Sequence, residues 1–275
     1  MIQISIILPS YNPQNYIYDC IRSICNQTLD ASSFELIIIL NGDKEPYFTD
    51  INRYILTIRE GRGIKVCYTE LPGVSNARNI GLDMACGEYF CFVDDDDILS
   101  SNYLEELLLV SSPTCIGLSA VKGFYSSCKE ANDDFFLSKY YLNRNNKKHT
   151  LYNFRGYFSI PWAKMIHRSI IGSHRYDTRF ANGEDSLFIT GLCVNIDSFK
   201  FATDAAYYVR IRKGSASRRC INVSVLLKSL IIQEWEYLKL LIKNRKLKNI
   251  LFFISRFVGI LKSTIIVFIN RKSYK

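Results

Sequence analysis

The sequence predicts an α/β protein with a mostly parallel sheet and helices on both faces. Strand-like and helix-like segments alternate from the N-terminus, the strand-like runs are mostly apolar, and polar residues follow their ends. Strands that are apolar on both sides are typical of parallel sheets covered by helices. Ligands of such sheets bind at the carboxyl ends of the strands, so we expect the functional site there.

The first half of the chain carries the alternation most clearly. A β-branched run over residues 2–8 predicts a strand, which stops at Pro9 and the polar turn of Ser10, Tyr11 and Asn12. The following elements are predicted in order: a helix over residues 15–27, a strand over 34–40 that ends in Asn41-Gly42-Asp43, a helix over 47–60 and a strand over 64–68.

An apolar run over residues 89–93 ends in four consecutive carboxylates, Asp94, Asp95, Asp96 and Asp97. Side chains alternate along a strand, so we expect Asp94 and Asp96 to point the same way. Four adjacent anions raise one another's pKa unless a cation compensates, and a hard divalent cation such as Mg²⁺ suits oxygen ligands. Capping of the following helix is the alternative, but one aspartate suffices for a cap.

A proline–glycine turn precedes a helix for which Ser75 or Asn76 is the predicted N-cap. Arg78 is expected in the first turn, where a helix N-terminus already favours anions and a guanidinium can bind a phosphate with two hydrogen bonds. The alternative is a surface arginine paired with Asp83 or Glu70.

The middle of the chain is less regular. A helix is predicted over residues 102–110 and a strand over residues 116–124. The stretch over residues 128–155 is polar, with a mobile loop expected at 143–148 that is either an acceptor loop or a disordered excursion. His149 lies in this stretch without an evident partner.

Charge and cysteine content bound the function. The chain has 275 residues and a net charge of +9, but residues 218–275 carry 13 Lys and Arg against two acidic residues, whereas residues 1–217 carry 22 against 24. The near-neutral body argues against a nucleic-acid enzyme. The nine cysteines show no CxxC or zinc-like spacing, which favours reduced thiols in the cytosol, and no export signal precedes the first strand.

The ordered motifs of residues 1–217 resemble those of family 2 glycosyltransferases of the GT-A fold, inverting enzymes that use nucleotide-sugar donors. Each motif alone is weak, but their order and spacing together are specific. The matching segments are residues 4–12, Gln27-Thr28 before 34–38, 76–81, 87–97, 158–166, 180–188 and 207–217.

The resemblance implies a donor pocket with Ser10 and Tyr11 against a uracil-type base, and Pro9 and Arg78 are also expected to bind the nucleotide sugar. It identifies residues 94–96 as the DxD element, with Asp96 as the direct metal ligand, Asp94 near the ribose or as a second ligand, and Asp95 on the donor side. Many relatives carry an acid where this chain has Asn41. Its amide still offers an acceptor and a donor to the base, so the choice of base stays open.

The resemblance also assigns the acceptor side. It makes Asp185 the catalytic base with Glu184 beside it, although both acids also suit the start of a helix. Trp162 is expected to stack on a sugar face, with burial in the core as an equal alternative. Arg212 or Lys213 is expected to neutralise the leaving diphosphate, unless they are solvated residues at a domain end.

The basic tail is predicted as a separate segment. We expect a glycosyltransferase domain over residues 1–217, with a nucleotide-sugar half over 1–97 and an acceptor half over 98–217, and a helical tail over 218–275. The tail is read as helices over residues 223–242 and 250–269 around a basic break. Arg256 and Lys262 disfavour a membrane span and favour an amphipathic helix on an anionic membrane surface, with packing on the body or on a second subunit as the alternative.

These expectations combine into one function. The sequence predicts a metal-dependent inverting glycosyltransferase that uses Mg²⁺ or Mn²⁺ and a nucleotide sugar, with UDP favoured. The acceptor is expected to be a growing or lipid-linked surface polysaccharide, and the enzyme is expected in the cytoplasm, peripheral on the inner membrane. A catalytically silent nucleotide-sugar-binding module and a metal-dependent nucleotidyl- or phosphotransferase are the alternatives, although the sequence has no P-loop pattern.

Overall fold

The computed structural model describes residues 2–58, 63–212, 223–244 and 246–270. In these residues eight strands form one mixed sheet. The strands are β1 (Ile4–Tyr11), β2 (Phe34–Asn41), β3 (Gly63–Thr69), β4 (Tyr89–Phe92), β5 (Ile98–Leu99), β6 (Cys115–Phe124), β7 (Lys164–His167) and β8 (Ser198–Arg210). Their order across the sheet is β3-β2-β1-β4-β7-β6-β8-β5.

Helices cover the sheet and continue into the tail. In chain order the α-helices of the described ranges are α1 (Tyr16–Cys25), α2 (Tyr47–Ile58), α3 (Val74–Met84), α4 (Tyr103–Val110), α5 (Ser138–Leu142), α6 (Arg168–Ile171), α7 (Glu184–Leu192), α8 (Val223–Lys243) and α9 (Ile250–Asn270). Short 3₁₀ turns occur at Ala31–Ser33, Cys128–Glu130, Tyr157–Ser159 and Leu247–Asn249.

The N-terminal half of the sheet is parallel, as the apolar runs predicted. β1 pairs with β2 on one side and with β4 on the other, and β2 pairs with β3. The register places Tyr11 opposite Asn41, and Val93 donates its N–H to the Ile7 carbonyl just beyond β4. The carboxyl ends of β1, β2 and β4 therefore meet at one edge of the sheet.

The C-terminal half adds antiparallel pairs. β7 runs antiparallel to both β4 and β6, whereas β6 and β8 are parallel and β5 is antiparallel to β8. The outcome is a mixed sheet whose first four strands are parallel, which confirms the predicted α/β class.

Parts of the stretch over residues 128–155 are packed, residues 145–148 are exposed, and the mobile loop expected at 143–148 stays a prediction. Phe154 and Leu137 are fully buried, because apolar residues hidden among the polar ones pack on the second half of the sheet. His149 also has partners, since its ring stacks on Phe199 and its Nε2 lies 2.9 Å from the Arg144 carbonyl oxygen.

The two tail helices pack on the body. Phe252 and Phe253 of α9 are buried in the main core. Arg256 donates to the Ser159 hydroxyl at 2.8 Å and to the Arg155 carbonyl at 2.7 Å. Of the alternatives raised for the tail, the structure therefore shows contact with the body.

The opposite side of α9 is apolar and exposed. Within the described residues, the segment Leu247–Val267 is the single helix long and apolar enough to cross a membrane. The exposed side chains of α9 are Leu251, Ile254, Val258, Leu261, Ile265 and Ile266.

Candidate active site

The edge where β1 and β2 end is held together by short polar side chains. Asn41 is buried, its Nδ2 donates to the Ser10 carbonyl at 3.0 Å, and its Oδ1 accepts from the Gly73 N–H at 3.2 Å. Both ends of this amide are thus bonded to backbone, so Asn41 shapes the pocket from beneath. Pro9 lies buried within β1, while the Tyr11 ring is about half exposed at the end of that strand.

The four aspartates follow the strand instead of belonging to it. β4 ends at Phe92, and the acidic residues occupy the turn that leads to β5. The expectation that strand alternation orients Asp94 and Asp96 was wrong for this reason. Each carboxylate has its own partner, and the Ser10 hydroxyl donates to Asp95 at 2.5 Å.

Arg78 connects the acidic turn to α7. Its guanidinium is buried, donates through Nη1 to Asp185 at 2.5 Å and through Nη2 to Asp94 at 3.2 Å, and lies over the Tyr176 ring. The alternative of a surface arginine was wrong, and Asp83 pairs with Arg175 instead.

The start of α3 also differs from the prediction. The helix begins at Val74 with Gly73 at the N-cap position, so Ser75 and Asn76 lie inside the helix and do not cap it. Asn76 donates instead to the Leu71 carbonyl at 3.0 Å. Arg78 consequently falls in the second turn and points inward.

The carboxyl groups around Arg78 hold their protons more tightly than free aspartates do. Enclosure raises the pKa of Asp94 to about 6 and that of Asp185 to about 6, and the Arg78 guanidinium opposes the rise in both. Enclosure likewise raises the pKa of Asp95 to about 7, against the hydrogen bond from Ser10. The start of α7 does not by itself keep Asp185 strongly acidic, because burial outweighs the favourable groups.

Asp96 faces the end of β8. Arg212 donates through Nε to Asp96 at 2.5 Å, and its guanidinium lies over the Tyr16 ring. Arg210 donates through Nε to the Asp96 carbonyl at 2.9 Å, so two arginines border this side of the acidic turn. Lys213, the other candidate for the diphosphate, lies outside the described residues.

The donor set fits a divalent cation that is bound together with a phosphate ligand. In the described ranges, no three His, Cys, Asp or Glu side chains converge into a ready metal site. Mg²⁺ usually takes one or two carboxylates and completes its shell with water and phosphate oxygens, a demand that Asp94 and Asp96 meet. Six carboxyl groups lie around this site with three guanidinium groups, so the acids outnumber the arginines. The acids are Asp94, Asp95, Asp96, Asp97, Glu184 and Asp185, and the cations are Arg78, Arg210 and Arg212.

Trp162 is buried at 8% exposure and stacks on Tyr207, with ring centroids 4.8 Å apart. The Tyr207 hydroxyl accepts the Asp94 N–H at 3.1 Å and bonds to the Asp97 side chain. The indole therefore supports the acidic turn through Tyr207, which agrees with the core alternative for most of its surface.

Asp185 lies in the first turn of α7, directly after Glu184. Gly183 adopts φ +80° at the N-cap position, a left-handed conformation that glycine tolerates best. Glu184 is 9% exposed, and burial raises its pKa. The structure thus brings Asp185 and Asp94 onto one guanidinium although they are far apart in sequence.

Sequence reasoning missed two buried groups beside the site. Lys164 is fully buried and donates through Nζ to the carbonyls of Ile160 and Trp162 at 2.6 and 2.7 Å, and burial lowers its pKa to about 7. Tyr176 lies beneath Arg78. A lysine inside an otherwise apolar run was the available signal for Lys164, whereas Tyr176 sits in an irregular segment that gave none.

The fold and the site together indicate the class of protein to which this chain belongs. They place this chain among α/β proteins that collect carboxylates and arginines at the carboxyl edge of a parallel sheet. The model of "Glycosyl transferase family 2" matches residues 5–171. The chain therefore belongs to glycosyl transferase family 2, as its motifs predicted.

Named relatives extend this finding. The chain is 25% identical over 236 residues to the poly(ribitol-phosphate) β-N-acetylglucosaminyltransferase TarP of Staphylococcus aureus, which covers 79% of this chain and 65% of TarP. It is 27% identical over 235 residues to the glycosyltransferase GlyA of Streptococcus pneumoniae, covering 78% of this chain and 32% of GlyA. The chain thus spans between one third and two thirds of these relatives' lengths.

A solved structure supports the fold. The crystal structure of S. aureus TarS 1-349 in complex with UDP-GlcNAc superposes with a TM-score of 0.71 at 20% identity and covers 94% of this chain and 72% of that chain. The likeness confirms the predicted GT-A-type sheet and, since it spans most of the chain, extends into the tail helices.

Proposed function

We propose that this protein is an inverting glycosyltransferase that moves a sugar from a nucleotide sugar, with a UDP-sugar favoured, to a hydroxyl group of a surface polysaccharide. The observation that carries the proposal is the placement of Asp94 and Asp185 on the single guanidinium of Arg78. Asp94 belongs to the acidic turn that is proposed to hold the donor, and Asp185 begins α7 on the proposed acceptor side, so the arginine joins the two parts of the site.

Asp185 acts as the general base. A pKa of about 6 leaves its carboxylate mostly ionised at pH 7, yet basic enough to take a proton from an acceptor hydroxyl. The hydroxyl oxygen attacks the anomeric carbon as its proton moves to Asp185, and the bond from that carbon to the diphosphate breaks on the opposite face. Arg78 holds Asp185 in place for this step.

The donor lies along the edge formed by β1, β2 and the acidic turn. The half-exposed Tyr11 ring offers a surface for a base to stack on, and Ser10, Asn41 and Asp95 form the wall of hydrogen bonds behind it. Arg212 would exchange its ion pair with Asp96 for one with the leaving diphosphate. Lys213 is the next residue in the chain.

Asp94 and Asp96 would hold Mg²⁺ or Mn²⁺. When bound, the cation neutralises charge on the leaving diphosphate. The relatives support the class of donor and acceptor: the TarS structure contains UDP-GlcNAc, and TarP is named as acting on poly(ribitol-phosphate). The structure of the mannosyltransferase PcManGT from Pyrobaculum calidifontis contains GDP-Man and Mn²⁺.

We place the enzyme on the cytoplasmic face of the membrane, held by α9. Its exposed apolar face would lie in the lipid interface while Phe252, Phe253 and Arg256 stay bound to the body. Crossing the membrane would instead require Arg256 to leave its hydrogen bonds with Ser159 and Arg155, so a peripheral position is favoured.

Donor hydrolysis tests the proposal. Wild type and the variants Asp96→Ala, Asp185→Asn and Asp133→Asn are incubated with UDP- and GDP-sugars in the presence of Mg²⁺, Mn²⁺ or chelator, and nucleotide release and binding are measured. We expect Asp96→Ala to lose binding, Asp185→Asn to bind without turnover, and the exposed control Asp133→Asn to match wild type. No binding of any nucleotide sugar to wild type contradicts the proposal.

A further inference from the structure

The loop that presents Asp185 rests on the tail helix α8. Gln233 of α8 is buried at 3% exposure, and its Nε2 donates to the Asn182 carbonyl at 2.8 Å. One helical turn later, the Tyr237 hydroxyl donates to the Ser186 hydroxyl at 2.9 Å. These two contacts bracket the three residues between Asn182 and Ser186.

The backbone of Gly183, in the middle of this segment, also lies close to Gln233. Gly183 has φ +80°, and a Cβ added to it would lie 2.5 Å from Oε1 of Gln233. A side chain at position 183 would therefore meet Gln233 as well as an unfavourable backbone conformation. The glycine lets the loop approach α8 closely enough for the Gln233 hydrogen bond.

An apolar cluster fixes the same two elements. Phe180, Leu187 and Tyr237 are buried together, and Phe257 of α9 packs against them. The exposed pair of Arg179 and Glu236 adds a contact at 3.0 Å on the rim. The tail helices thus hold the start of α7 through hydrogen bonds and through apolar contacts.

We propose that Gln233 and Tyr237 are positioning residues for Asp185, so that α8 forms part of the catalytic site. The inference rests on the role proposed above for Asp185. Asp185 is the second residue of α7, and its carboxylate moves with the first turn of that helix. The hydrogen bonds of Gln233 to the Asn182 carbonyl and of Tyr237 to the Ser186 hydroxyl fix the position of this turn relative to Arg78.

The geometry gives this role a measurable signature. A displacement of the base by about 1 Å can lower a rate by about 100-fold, while substrate bound elsewhere is unaffected. The donor contacts proposed above lie on β1, β2 and the acidic turn, none of which Gln233 touches. Loss of the Gln233 hydrogen bond should therefore lower kcat and leave the KM for the donor unchanged.

The test compares Gln233→Met with Lys228→Met. Methionine matches glutamine in size but cannot donate to Asn182, and Lys228 is exposed on the same helix, so the control introduces the same residue without touching the loop. Release of UDP from the UDP-sugar that wild type hydrolyses fastest in the donor panel is measured over pH 5 to 9, together with the Tm and with hydrogen exchange of the amides of residues 183–187.

We expect Gln233→Met to lower kcat at least tenfold, to displace the acidic limb of its pH profile and to speed exchange at residues 183–187, with donor KM and Tm near wild type. Tyr237→Phe should show the same changes to a smaller degree, and Lys228→Met none. Unchanged kcat and exchange in Gln233→Met, or an equal loss of Tm and donor binding, overturns the inference.

Asp185→Asn run in parallel separates the two claims. If Asp185→Asn keeps wild-type turnover, the role proposed for Asp185 is wrong. If Asp185→Asn is inactive while Gln233→Met has wild-type kcat and exchange, only the role of α8 fails. Should UDP release be too slow to compare, faster exchange at residues 183–187 in Gln233→Met alone still supports the contact, and unchanged exchange overturns it.

Discussion

Arg78 and Asp185 form a 2.5 Å ion pair across 107 residues of sequence, and the same guanidinium reaches Asp94. Two carboxylates from different elements, the acidic turn and α7, are therefore coupled through one buried cation. Protonation or substitution of either carboxylate therefore alters how strongly Arg78 stabilises the ionised form of the other.

Substitution of Arg78 by lysine tests this coupling. Lysine keeps the charge but cannot bridge two carboxylates with a planar fork, so the pKa of Asp185 should rise further above 6. Because a general base works in its ionised form, the acidic limb of kcat should move to higher pH and kcat at pH 7 should fall on the order of 100-fold. A pH–rate profile measures both, and Arg175→Lys, at an exposed ion pair, is the control. An unmoved acidic limb in Arg78→Lys would contradict the coupling.

Asp95 should destabilise the folded protein at neutral and alkaline pH. Its pKa of about 7 in the folded state lies above the value near 3.9 of an unfolded aspartate, so the folded state binds the proton more tightly between pH 4 and 7. The stability contributed by this group is present at low pH and is lost as the pH rises through 7. Asp95→Asn, which keeps an acceptor for Ser10, should raise the Tm at pH 8.

The gain in Tm from Asp95→Asn should shrink as the pH falls towards 4, because residue 95 of the folded protein is then uncharged in wild type as well as in the variant. Thermal unfolding without nucleotide or metal measures it, with exposed Asp133→Asn as the control. A gain of equal size at pH 5 and pH 8 would show that ionisation of Asp95 is not its cause.

Cation and nucleotide should stabilise the protein together. Asp94 and Asp96 give a cation only part of its shell and a diphosphate gives the rest, so each ligand should strengthen binding of the other. We expect Mn²⁺ with UDP to raise the Tm by more than the separate shifts added together. Asp96→Asn should abolish this excess and Asp133→Asn should keep it. Additive shifts in wild type would count against a shared site.

The Tyr207 hydroxyl should contribute to stability and to the shape of the acidic turn. Tyr207→Phe keeps the stack on Trp162 but leaves the Asp94 N–H and the Asp97 carboxyl short of a partner, at a cost of about 1–2 kcal/mol. Tyr208→Phe alters the neighbouring residue on the other side of β8 and is expected within about 0.5 kcal/mol of wild type. Denaturant unfolding at pH 7 compares the two, and equal losses would argue against the hydroxyl contacts.

Binding to vesicles tests the proposed role of α9. Its exposed apolar face and the basic composition of the tail predict stronger binding to phosphatidylglycerol vesicles than to phosphatidylcholine vesicles. The double variant Leu261→Asp, Ile265→Asp should lose sedimentation with vesicles. Leu56→Asp, Leu109→Asp, which alters exposed leucines on the body, should keep it. Equal binding by both double variants would rule out α9 as the contact.

Sequence patterns predicted the parallel half of the sheet because its strands are apolar on both faces over several residues. They also predicted the acidic cluster of residues 94–97 at this edge, because it follows an apolar run, whereas Glu184 and Asp185 were assigned from the resemblance to the family. They did not predict the orientation of Asp94 and Asp96, because nothing in the period reveals that β4 stops at Phe92. They also missed the packing of Leu137 and Phe154, because these residues stand among polar ones without a repeating apolar pattern.

Partners that are distant in sequence were out of reach. The ion pair of Arg78 with Asp185 depends on how α3 and α7 approach each other, and the stack of Trp162 on Tyr207 depends on the pairing of β6 with β7 and β8. The hydrogen bond of Gln233 to Asn182 joins a segment that looked like an appendage to a loop 51 residues earlier.

That hydrogen bond limits how relatives can be recombined. A chimera that joins the first 217 residues of this chain to the C-terminal helices of another family member would place an unrelated side chain against Gly183. The Asn182 carbonyl would then lose the hydrogen bond that Gln233 of α8 donates to it. Crossovers should therefore transfer residues 180–187 together with α8, and libraries that diversify the acceptor specificity of this chain should leave Gln233 and Gly183 fixed.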